Sequence, residues 1–160
     1  MTLDFVPVGG PEFNKRVLYS AYFARTITIQ CIYTNTDPRG AGASPDHPIR
    51  QARQVHLKCG PRLLCVATSL VTVTSPECER LLIDEKTALG QIFRRLKAYP
   101  EFSLIHVDAQ VVNGKRQLSR RYLLEIEGIS CEILEVFPDR DMFDQGEAWL
   151  DQDTDSSSEE

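Results

Sequence analysis

Three charged side chains stand in register with apolar ones, and they are the first candidates for chemistry. Ile129–Phe137 reads as a strand, so Cys131, Ile133, Glu135 and Phe137 share one face and Ser130, Glu132, Leu134 and Val136 the other. Glu135 therefore points the same way as Ile133 and Phe137. By the same parity Arg53 lies with Val55 and Leu57, and Arg120 with Leu118, Tyr122, Leu124 and Ile126. A charge on an apolar face must be paired, hydrogen-bonded or neutralised, because stripping it of water is costly. One outcome is a buried Arg–Glu pair that fixes strand register. The other is a largely apolar pocket with a few convergent polar groups, as small-molecule sites are built. There an arginine fork would hold a ligand carboxylate through two parallel hydrogen bonds. A glutamate in apolar surroundings would have its pKa raised and could pass a proton near neutral pH.

Other chemistries find less support. His47, His56 and His106 are far apart, and the last two fall on the polar parity of their strands. Asp139, Asp141 and Asp144 are close together but too few for a divalent site, so no metal is expected. The five cysteines are odd in number and form no CxxC pair, which speaks against a disulfide framework or zinc ribbon and for thiols in a reducing, cytoplasmic setting. No nucleophile elbow or phosphate-cradling glycine loop is present.

The elements that must position these residues follow in order. Residues 11–23 carry Phe13, Val17, Leu18 and Ala21 at helical spacing behind Pro11. Thr26–Thr34 alternates as a strand, and Asn35–Ile49 is a Pro- and Gly-bearing loop long enough to be mobile or to act as a lid. Gln51–Lys58 alternates; Cys59–Pro61 turns into Leu63–Thr74, apolar at nearly every position, as a strand covered on both faces would be. A short helical turn is expected in Pro76–Asp84, and a helix over Thr87–Lys97 with Leu89, Ile92, Phe93 and Leu96 inward, closed by Pro100. Phe102–Val112, the Asn113–Gly114 turn, Leu118–Ile126, a turn at Glu127–Gly128 and Ile129–Phe137 make three consecutive antiparallel strands. The expected fold is α+β: a single six-stranded, mainly antiparallel sheet with helices packed on one side.

Bulk properties fit one soluble domain over residues 1–143 followed by an acidic tail, 144–160, with too little apolar material to fold alone. The net charge of −5 is uneven: residues 139–160 hold nine acidic residues and one arginine, −8, which leaves +3 on the rest. A mildly positive body suits a small anionic ligand, whereas a clustered basic face for nucleic acid is missing. No apolar run is long enough to span a bilayer, and the first residues lack a signal-peptide pattern.

From Arg50 to Pro138 the chain resembles the chorismate lyase (chorismate–pyruvate lyase) family. The pieces are RQVHL around Arg53, the strand pair CGPRLLCVATS, TALGQIF around Leu89, SRRYLLEIEG, and ISCEILEVFP with Glu135. They occur in the family's order and at similar spacing. The resemblance implies a chorismate-lyase-like fold and cleavage of chorismate to 4-hydroxybenzoate and pyruvate without a cofactor. It implies that Arg53 holds the ring carboxylate and that the Leu89 backbone N–H binds the ligand from the other side. Glu135 would be the general acid/base. Ala67 stands where some members carry a second ligand arginine. The alternative is a non-catalytic binder of aromatic carboxylates with the same fold, and a third reading is a protein-interaction module whose acidic tail engages a basic partner.

Overall fold

The computed structural model describes residues 27–145, without the side chains of Phe143 and Asp144. The expected helix over 11–23 and the acidic tail beyond 145 lie outside the described residues. Six strands form one antiparallel sheet: β1 (Thr28–Thr36), β2 (Ile49–Cys59), β3 (Arg62–Val73), β4 (Glu101–Val112), β5 (Lys115–Ile126) and β6 (Ile129–Phe137), in the order β1-β2-β3-β6-β5-β4. Each half of the chain is thus a three-strand meander, and the two halves join where β3 pairs β6. The first strand of each half is an edge and is bulged, between Cys31 and Tyr33 in β1 and between Leu104 and His106 in β4.

Between the halves lie α1 (Pro76–Glu79), which runs on as a wider π-helical turn through Arg80–Asp84, and α2 (Leu89–Arg95); α3 (Met142–Gln145) follows the sheet. Ser75 starts α1, its hydroxyl accepting from the Cys78 N–H at 3.1 Å, and Pro76 follows it where no N–H is needed. The helix expected over Thr87–Lys97 is shorter. It ends at Arg95 because Lys97 adopts φ 51°, a left-handed position that closes the turn before Pro100 is reached.

Directly paired residues share a face, so the register defines rows across the sheet. The inner face is the covered one. One apolar cluster joins Val71, Val73, Tyr122, Leu124, Ile129, Cys131 and Ile133 to Cys78, Leu81 and Leu82 of the first helical segment and to Leu89, Ile92 and Phe93 of α2. A second, toward the other end of the strands, holds Ile27, Leu57, Leu64, Cys65, Phe137 and Met142. The expectation that β3 is covered on both faces does not hold. Its burial alternates and Leu70 is 43% exposed, because nothing among the described helices crosses to the outer face.

The Asn35–Ile49 loop is tied down rather than loose. Arg39 Nε donates to Glu79 Oε2 at 2.8 Å, and its Nη1 and Nη2 donate to Asp84 at 2.5 and 3.0 Å. Glu79 Oε1 accepts from the Ala43 N–H at 2.7 Å, and Ala43 itself is buried in the larger apolar cluster.

Candidate functional site

The hairpin of β5 and β6 turns at Glu127–Gly128 with Ile126 opposite Ile129, and counting six residues away on each strand brings Arg120 opposite Glu135. Arg120 Nε donates to Glu135 Oε1 at 2.5 Å, and Nη2 approaches the same oxygen at 2.5 Å. Glu135 has no solvent exposure, and the Arg120 side chain retains 9%. The guanidinium also lies over the Tyr122 ring, with its central carbon 4.9 Å from the centroid, so the cation meets a carboxylate and a π face. Tyr122 in turn packs against Phe102, their rings 5.2 Å apart and tilted by 35°.

Two adjacent rows contain every charged residue singled out on apolar parity. One runs Cys31, Val55, Ala67, Glu135, Arg120, Val107; the next runs Thr34, Arg53, Ser69, Ile133, Tyr122, Leu104. The expected placement of Arg53 and Glu135 on one face of the sheet is therefore what the register gives. With β3 between their strands and a two-residue step between their levels, their Cα atoms are roughly 12 Å apart, from strand spacings of ~4.8 Å and a rise of ~3.4 Å per residue. Arg53 is partly buried, with its Nε out of solvent.

The row of Glu135 lies in the seam between the two apolar clusters. Val55 and Ala67, 2% and 1% exposed, belong to neither, so the charge pair is flanked by apolar residues but packed into no continuous hydrophobic mass. Ser69 sits diagonally from Glu135 and directly across from Arg53; it is 3% exposed, and its Oγ has no hydrogen-bond partner among the described residues. A buried hydroxyl left in this way costs free energy that a ligand acceptor or donor would recover. Leu89 is buried at the first position of α2, in the same cluster as Tyr122 and Ile133, and Ala88 before it supplies no side-chain cap. Its N–H therefore has no partner within the helix.

Ser69 and the Arg39–Glu79–Asp84 tie escape a reading of the sequence alone, whereas parity already put Tyr122 on the face of Arg120. Ser69 hides in an apolar strand, and Arg39 and Glu79 are forty positions apart with no pattern linking them. The Arg120–Glu135 pairing was within reach, since a two-residue turn fixes the register of the hairpin. Among the described residues no group of three His, Cys, Asp or Glu side chains could hold a metal ion, and no helix is long and apolar enough to cross a membrane. No protein-family model matches the chain, and no curated protein matches it.

Proposed function

We propose that the chain is a cofactor-independent lyase that converts chorismate to 4-hydroxybenzoate and pyruvate, on a chorismate-lyase-like fold. The observation that carries this reading is the shared inner face of Arg53, Ser69 and Glu135, in the seam between two apolar clusters. Arg53 would hold the ring carboxylate through its planar fork. Ser69, directly across from it, would take a hydrogen bond from or give one to the bound ligand. The Leu89 N–H would meet the ligand from the side of α2. Glu135 would remove the ring proton as the enolpyruvyl ether bond breaks, and return that proton to the departing group as it becomes pyruvate. The ring gains aromaticity in the step, so the protein has to orient the substrate and move one proton. With Ala67 rather than a second arginine beside Glu135, the anionic substrate is held by fewer charges, which favours modest affinity.

One observation favours a second reading, a non-catalytic binder of aromatic carboxylates. Glu135 is engaged by Arg120 at 2.5 Å, and a base held by a cation is less disposed to take a proton. Incubating the protein with chorismate and following 4-hydroxybenzoate absorbance separates the two. The lyase reading expects turnover that Glu135→Gln abolishes while chorismate still binds. Unchanged turnover in that variant removes Glu135 from the mechanism. Binding of 4-hydroxybenzoate without turnover in the parent protein establishes the second reading instead, and binding of neither overturns both.

A further inference from the structure

β4 is an edge strand with an unusual face. By register, Phe102, Leu104, Val107, Ala109 and Val111 point to the inner side of the sheet, while Ser103, His106, Asp108 and Gln110 point outward. That alternation belongs to a strand whose inner side is covered. Yet Leu104 is 55%, Val107 51% and Val111 73% exposed, although Arg120 and Tyr122 on β5 beside them are buried. Among the described residues the helical cover reaches Phe102 at the start of β4 but not Leu104, Val107 or Val111, and no described strand pairs with the outer backbone edge of β4.

We propose that β4 is a dimerisation edge, at which two copies pair antiparallel about a two-fold axis through Val107 to form one twelve-stranded sheet. The evidence is the self-complementarity of the strand in that register. Val107 meets Val107, and each His106 meets the partner's Asp108 on the outer face, giving two pairs, imidazole N–H donor to carboxylate acceptor, that flank the axis. The bulge at Leu104–Ile105 then lies across from Ala109, because two residues there occupy one position of the ladder. Beyond it Gln110 faces Ser103 and Val111 faces Phe102, so polar meets polar and apolar meets apolar until the last pair, Val112 with Glu101. Moving the axis by one residue sets Asp108 against Asp108 or His106 against His106, which fixes the register. The other edge, β1, is shorter and places Thr34 and Thr36 on its inner face, so it lacks a comparable apolar row. This inference is independent of the ligand reading.

The test is the mass of the full chain in solution by sedimentation and light scattering over a concentration series. The expected species is twice 18.1 kDa. Val107→Thr and Val111→Thr, which keep β-branched side chains at half-exposed or exposed positions, should each weaken the dimer with little change in the melting curve, and the double change should leave a monomer. His106→Asp and Asp108→His should each weaken the dimer about tenfold or more by setting like groups opposite, and the double swap should restore it. A monomer at every concentration overturns the proposal, as does a dimer that the double threonine change leaves as strong as before. A double swap as weak as the single changes overturns the Val107 register. Slow amide exchange along β4 in a particle of monomer mass would mean that a segment of the same chain covers the strand, which also overturns it.

Discussion

Removing Arg120 alone should be one of the most damaging single changes available in the sheet. Arg120→Leu leaves the Glu135 carboxylate, with no solvent exposure, facing Val55, Ala67 and a new aliphatic side chain. Breaking a buried pair from one side costs about 3–5 kcal/mol, because the surviving charge stays desolvated and has lost its cation. About 1 kcal/mol of that is the contact of the guanidinium with Tyr122, 4.9 Å from the ring centroid. At about 3 °C per kcal/mol for a chain of this size, the melting temperature should fall by roughly 9–15 °C. Glu135→Leu should cost somewhat less, since Arg120 keeps a little exposure and can move its head group toward water. Making both changes removes both charges and joins the two apolar clusters through the seam, so the double variant should lie within about 1.5 kcal/mol of the parent. Urea unfolding of the four proteins closes a double-mutant cycle. Its coupling energy should exceed about 2 kcal/mol, beyond what solvent-exposed pairs reach. Losses that simply add, or an Arg120→Leu loss below about 1 kcal/mol, would refute a dry seam.

Three further outcomes are expected. Arg53→Ala should raise the chorismate dissociation constant at least about tenfold, the loss of one charged hydrogen-bonded contact, in an isothermal titration; an unaltered constant removes Arg53 from the site. Gly128 adopts φ 95°, and a Cβ there would come within 2.7 Å of Ser75 Oγ and 3.1 Å of Cys78 Sγ, so Gly128→Ala should cost about 2–4 kcal/mol in urea unfolding through left-handed strain and overlap together, and a loss under about 0.5 kcal/mol contradicts the close packing of this turn on α1. Acid should loosen the loop tie: the Ala43 N–H and the Arg39 guanidinium hold the Glu79 carboxyl below its ordinary range, and Arg39 does the same for Asp84. Depressed folded values mean that this stabilisation is complete above about pH 4.5 and is lost as pH falls through them. Exchange at the Ala43 amide should therefore quicken below about pH 4, after correction for intrinsic rates, and Glu79→Gln should remove that pH dependence.

How far the sequence could be read depended on whether a feature was local. The β5–β6 hairpin is local: alternation set its faces and Glu127–Gly128 its turn, and β6 runs over Ile129–Phe137 as the pattern indicated. The same holds for Asn113–Gly114, which joins β4 to β5 with both residues at positive φ. Parity put Arg53, Arg120 and Glu135 on apolar faces, and the register agrees. Coverage was less legible. Leu63–Thr74 is apolar on both parities, yet only one side is buried, since a run of Leu and Val records β propensity as well as burial. Phe102–Val112 shows an inner apolar row of which the described helical cluster covers only Phe102, leaving Leu104, Val107 and Val111 exposed. Gly128 was legible as a turn glycine, but not as the residue on which Ser75 and Cys78 rest. The tie of Arg39 to Glu79 and Asp84 was invisible because it depends on where two loops end up in space.

The two halves of the sheet sharpen the assignment of roles to the two arginines. Arg53 on β2 and Arg120 on β5 occupy equivalent places, each one residue past the point where pairing resumes beyond the bulge of its edge strand, opposite Thr34 and Val107 respectively. Their neighbours on the central strands differ. Arg120 faces Glu135 on β6, while Arg53 faces Ser69 on β3. Within the two rows Arg53 and Ser69 stand side by side across β2 and β3, a guanidinium beside a buried hydroxyl, where β5 and β6 set a guanidinium beside a carboxylate. The arrangement also predicts what a transplanted acid would do. Ser69→Glu should set a carboxylate directly across from Arg53, at the level proposed for the ligand, and so abolish binding of chorismate and 4-hydroxybenzoate alike. Binding that survives Ser69→Glu in a folded protein would place the ligand elsewhere, and would leave the equivalence of the two arginines a matter of architecture alone.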